Sequence, residues 1–154
     1  MCFTLAKKMK TLYSLVAVIA LTTVTVYGDV PAVQFLAVVA EPTSASKEVE
    51  FKWRDEIRSL HILPTPIISD PDIESAEVSL DQPNTVNITL CEAGGVKFKN
   101  GIQDMLGKQI AIVLNGNVVS APVLQAVDFG RKLQIAGTLS DRETQSLVEK
   151  LNKK

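Results

Sequence analysis

Asn115-Gly116, set between the apolar runs 110–114 and 118–119, constrains this chain more than any other feature. A two-residue Asn-Gly connection between apolar runs favours a type I′ turn, because both central residues must adopt positive φ. The preceding run, Ile110-Ala111-Ile112-Val113-Leu114, contains no polar residue and is of strand length. That is the pattern of a strand buried on both faces. Val118-Val119 starts the return strand, and Pro122 must lie at a bulge or an edge, because it has no N–H to give a ladder.

Other segments follow from period and punctuation. Val33-Gln34-Phe35-Leu36-Ala37-Val38-Val39 is a β-branched run that ends at Pro42. Val49, Phe51 and Trp53 alternate with Glu50 and Lys52, the signature of a half-buried strand. Ile57, Leu60 and His61 suggest a helical turn within 54–61. Pro64, Pro66 and Pro71 mark residues 62–72 as extended chain or an edge strand. Asp70 or Asp72 is placed to cap one turn through Ala76, and the alternation at Val78-Leu80 and Val86-Ile88-Leu90 predicts a hairpin around Gln82-Pro83-Asn84. Gly94-Gly95 breaks that strand ahead of a helix carrying Val96, Phe98, Ile102 and Leu106. Leu133, Ile135 and Gly137 form a short strand. Ser140 and Glu143 then make a capping box for a final helix with Leu147, Val148 and Leu151 on one face. The expected class is α+β: a mostly antiparallel sheet of about six or seven strands with two helices packed on one face.

The front of the chain reads as an address. Lys7, Lys8 and Lys10 precede the apolar stretch 11–21, and Val26 and Gly28 satisfy the small-residue rule for cleavage before Asp29. Residues 1–28 are expected to be a signal peptide, with Met9 as a more compact start than Met1. The alternative is an uncleaved anchor to the inner membrane by residues 11–27, but 17 positions diluted by threonine fall short of the roughly 20 apolar residues a span needs. Residues 29–154 are then a single exported domain, periplasmic or extracellular. Its net charge of −4 offers nothing to nucleic acid, and Cys91 is its one cysteine, so no internal disulfide holds it.

Catalytic readings find little support. His61, flanked by Leu60 and Ile62, is the only histidine, and neither a nucleophile nor a metal-ligand set accompanies it. Asp70, Asp72 and Glu74 cluster, but Pro71 and the missing glycine argue against a calcium loop, and acids at a helix start suit the dipole. Asp128-Phe129-Gly130 is a turn with no phosphate loop beside it, and the sequon at Asn87 falls inside a strand. The chain is expected to be no enzyme, with no catalytic residue, metal or cofactor.

Residues 107–151 resemble the periplasmic head subdomain (P1 head) of the SecD/SecDF protein-export family. The resemblance is carried by Ala111-Ile112-Val113-Leu114-Asn115-Gly116, Val119-Ser120-Ala121-Pro122, Ile135-Ala136-Gly137, and Ser140 with the Glu143 helix. A weaker likeness at Asp72-Ile73-Glu74-Ser75-Ala76 and at Gly95 with Phe98 extends it to about residues 62–152. Asn115 stands where the family usually has Asp, a change the turn tolerates. The family's threonine a turn after the Phe is missing near Gly101-Ile102, and the membrane-spanning helices that couple energy do not follow. The resemblance implies a stand-alone, non-enzymatic head that contacts extended or unfolded polypeptide, or an envelope or export partner. The alternative is a structural or assembly domain of the envelope with no role in translocation. Residues 118–127 are the candidate edge for adding an extended peptide, with Val118, Val119, Ser120, Ala121, Pro122, Val123 and Leu124 as the binding residues and Asn115-Gly116 as the turn that positions them.

Overall fold

In the computed structural model, which describes residues 30–53 and 55–153, Asn115 and Gly116 have φ of 47° and 85°. Both are positive, as a type I′ turn requires. The turn joins β6 (Ile110–Leu114) to β7 (Asn117–Ser120). The leader assigned to residues 1–28 lies outside the described residues. Among the described residues, no helix is long and apolar enough to cross a membrane.

Upstream come β1 (Val33–Val39), β2 (Lys47–Trp53), β3 (Glu56–Ser69), a 3₁₀ turn at Asp70–Asp72, β4 (Ile73–Val78), β5 (Thr85–Leu90) and α1 (Glu92–Ile102). Downstream are β8 (Lys132–Ala136) and α2 (Asp141–Asn152). The strands form two antiparallel sheets, of order β2-β3-β1-β6-β7 and β4-β5-β8.

All five residues of β6 are buried, and they face two different cores. Ile110, Ile112 and Leu114 join the main core, while Ala111 and Val113 join a second one. The main core is where the two sheets meet Phe98 and Ile102 of α1 and Leu147 and Leu151 of α2, so both helices bury their stripes on the same side of the larger sheet. The second core gathers Leu36, Phe51, Leu60 and Ile62 on the opposite face, with Trp53 and Val118 at its margin. It exists because the five-stranded sheet curls until β2 lies against β7.

The α+β class and the two helices on one face hold, but the strands number eight and split between two sheets. The helical turn expected within 54–61 is strand: Ile57–Ile62 pair in register with Lys47–Lys52, and a cross-strand partner decides what helical spacing of three residues did not. Pro64 and Pro66 lie beyond the end of the β2 ladder, where the β1–β3 register shifts on both sides of the Leu36–Pro66 pair, an irregular stretch that tolerates a missing N–H. The turn predicted through Ala76 ends at Asp72. Ile73–Val78 is β4, and the hairpin loop falls at 79–84 with Leu80 fully exposed.

Gly94-Gly95 is not the strand break: β5 ends at Leu90, and both glycines lie inside α1, which Cys91 caps by accepting the Gly94 N–H at 3.3 Å. A Cβ on Gly94 would collide with the Asp72 carbonyl, and one on Gly95 would press on Arg131. The glycines are there for close approach.

Candidate functional site

The acidic cluster is consumed by the fold. The Asp70 carboxylate accepts the backbone N–H groups of Ala32 and Val33, each at 2.7 Å, and so ties down the start of β1. Asp72 accepts the Ser69 N–H at 2.9 Å and pairs with Lys97 of α1 at 2.7 Å. Glu74 pairs with Arg131, whose Nε donates to the Leu90 carbonyl at 2.7 Å. These acids bind strands and helix together rather than decorating a solvated helix start. His61 sits in β3 between Glu48 of β2 and Val39 of β1.

The candidate edge divides into a covered half and an open half. Val118 and Ala121 pack on the second core, Val119 packs on the main core, and Ser120 is buried in β7. Gly137, just past β8, lies so close to Val119 that an added methyl group would sit 3.1 Å from its carbonyl oxygen. Beyond this point the backbone bonds back toward β6: the Ile110 N–H donates to the Pro122 carbonyl at 3.0 Å, and the Leu124 N–H to the Lys108 carbonyl at 2.8 Å. Leu124 is buried, whereas Pro122 is exposed and Val123 is 49% exposed.

Residues 122–126 form one bank of a groove of about 1020 Å³, and Lys132, Leu133 and Gln134 of β8 line it as well. Its apolar lining comes from the main core, chiefly Phe98, Ile110 and Ile112. Three aromatic rings lead outward to it. Phe35 meets Phe98 edge-on with centroids 6.1 Å apart, and Phe98 meets Phe129 at 6.2 Å. Phe129, 40% exposed, borders both this groove and a smaller one of about 250 Å³ beside Val96 and Arg131.

The residues missed from the sequence are Phe129 and the β8 edge. Phe129 was absorbed into a turn, and no single-strand pattern shows that β8 ends a sheet. Glu77 and Lys132 are the charged residues of the lining, one of each sign, so the groove is close to neutral.

The domain is thus α+β, with one broad groove beside β8 and an acidic cluster taken up by the fold. Residues 46–153 match the family model for the SecDF P1 head subdomain, and the chain belongs to that family. It is 30% identical over 116 residues to the protein translocase subunit SecDF of Thermus thermophilus, covering 71% of this chain and 16% of that protein. It is 32% identical over 111 residues to the protein translocase subunit SecD of Sebaldella termitidis, covering 71% of this chain and 26% of that protein. The chain therefore spans about a quarter or less of the length of these relatives.

Among solved structures, a SecDF membrane component that enhances protein export superposes with a TM-score of 0.60 at 23% identity, covering 80% of this chain and 63% of that one. SecDF in its super-membrane-facing form gives 0.59 at 22% identity, over 80% of this chain and 19% of that one. At these identities the likeness is one of fold. The family match begins at residue 46, yet β1 lies ahead of it and is the central strand that joins β3 to β6.

Proposed function

We propose that this domain serves protein export as a non-catalytic holding site for extended polypeptide, on the outer side of the bacterial inner membrane. The observation that carries this reading is the groove lined by residues 122–126 and β8: its two charges cancel, and its lining mixes core side chains such as Phe98 and Ile110 with the polar Asn87 and Thr89 of β5. Such a site suits a chain in transit, which presents alternating side chains and unpaired backbone groups and no fixed sequence. Family membership and the leader assigned to residues 1–28 support the same compartment.

The test is a photo-crosslinking residue placed in turn at Val123, at Phe129 and at Ile57. Ile57 is 74% exposed but belongs to the β2–β3 hairpin, away from the groove lining. Incubated with a reduced, carboxymethylated secretory protein, the probes at 123 and 129 should capture it and the probe at 57 should not. Equal capture from all three positions, or none, overturns the reading. A concentration-independent dimer by light scattering, with no capture, would instead favour an assembly role for the domain.

A further inference from the structure

The two edges of the three-stranded sheet are treated differently. On the β4 side, the Ala76 N–H donates to Asn152 Oδ1 at 3.0 Å, and Asn152 Nδ2 donates to the Ala76 carbonyl at 2.8 Å. One amide side chain from α2 thus occupies both outward backbone groups at the middle of that edge.

On the β8 side nothing comparable happens. The Leu90 N–H donates to the Arg131 carbonyl at 2.8 Å, and the register pairs Ile88 with Leu133 and Val86 with Ile135. In an antiparallel ladder the backbone groups of successive residues point to opposite sides. Those of Lys132, Gln134 and Ala136 therefore point away from β5, and no described residue bonds to them. Lys132 and Gln134 line the groove.

We infer that β8 is the acceptor strand of this groove: an extended stretch of polypeptide adds to the Lys132, Gln134 and Ala136 backbone groups as a fourth strand of the β4-β5-β8 sheet. The inference rests on the polypeptide-holding reading above and specifies its chemistry. An added strand would turn alternate side chains toward Leu133 and the aromatic lining, and the others toward the row of Lys132 and Gln134. The occupant is an uncharged stretch of alternating apolar and polar residues, matched to a lining whose charges, Glu77 and Lys132, cancel. Residues 122–126 line the same groove as Lys132 and Gln134, and the Gly137–Val119 contact marks the end of the open part of β8. Pairing of two copies through β8 is the competing occupant, and light scattering without peptide tests it: a dimer that a charge at Gln134 (Gln134→Glu) dissolves would overturn the proposal.

The test compares two soluble peptides of alternating valine and threonine on the full chain, one unmodified and one N-methylated at alternate residues so that its donors on one edge are lost. With the unmodified peptide, amide exchange at Lys132, Gln134 and Ala136 should slow while that of the exposed Leu80 does not change. The N-methylated peptide, in the parity that faces β8, should lose binding and protection together. If both peptides bind equally, or binding leaves the three amides unprotected, strand addition is wrong while polypeptide holding stands. If neither peptide binds and the probe at Val123 captures nothing, the holding site itself is wrong.

Discussion

Gly94 of α1 lies against the backbone carbonyl of Asp72 at so short a distance that a Cβ at position 94 would overlap the oxygen. In an exposed helix, Gly→Ala gains about 1 kcal/mol. Here the sign reverses, because the clash is with backbone and the 3₁₀ turn is tied in place by Asp70 and Asp72. Gly94→Ala should lower stability by about 1–3 kcal/mol, the range for overpacking. Gly107→Ala provides the contrast. Its φ is +77° with nothing within 4 Å of an added Cβ, so it should lose only the left-handed backbone cost of about 1–2 kcal/mol. Urea midpoints of both variants beside wild type decide this. An unchanged midpoint for Gly94→Ala would mean that the contact yields.

The Asn115-Gly116 turn carries two opposite expectations. Gly116→Val puts a β-branched residue at φ +85° and should cost about 1–3 kcal/mol. Asn115→Asp should be neutral to stabilising, because Lys150 Nζ of α2 already lies 3.2 Å from Asn115 Oδ1 and a carboxylate there would make an ion pair. Exposed pairs contribute about 0.2–1 kcal/mol and weaken with salt. Thermal melts at low and high salt should show the Asn115→Asp gain disappearing at high salt.

The Asn152 amide holds the middle of the β4 edge. Asn152→Ala removes both bonds to Ala76 and should cost about 1–3 kcal/mol, the usual penalty for unpaired backbone groups. Asn152→Asp keeps the acceptor but sets a carboxylate against the Ala76 carbonyl, so at neutral pH it should rescue little. Hydrogen exchange at the Ala76 amide reads the change directly: it should accelerate strongly in Asn152→Ala. Protection unaltered from wild type would show that α2 packing alone guards that edge.

Glu143 gives the pH dependence of α2. The Ser140 hydroxyl donates to its carboxylate at 2.6 Å and the Ser140 N–H at 2.8 Å, which holds its pKa below the ordinary value of 4.5. A carboxyl whose folded pKa is lowered contributes stability above its unfolded pKa and loses it as pH falls through the folded one. The acid limb of the stability curve, below about pH 4.5, should therefore be shallower in Glu143→Gln than in wild type. Ser140→Ala removes the cap as well and should cost about 0.5–2 kcal/mol at neutral pH. Denaturant titrations across that acid range measure both.

What was legible from the sequence was local. Asn115-Gly116 specified its turn because positive φ at two successive positions admits few residue pairs. The unbroken apolar run before it announced two buried faces, and the structure supplies a core for each. Ser140 and Glu143 specified the start of α2, since a capping box is satisfied within four residues. Tertiary structure decided whatever depends on partners distant in sequence. Ile57–Ile62 became strand because β2 offered a ladder, and Gly94-Gly95 lie inside a helix that Cys91 caps, their missing Cβ atoms making room for Asp72 and Arg131. The groove belongs to this second kind. Residues 122–124 stood out in the sequence through Pro122, but that β8 lies across a groove from them, as the sheet edge without a partner among the described residues, follows from no local pattern. Backbone groups become a binding surface through the absence of a neighbour, and neighbours are set by the whole fold.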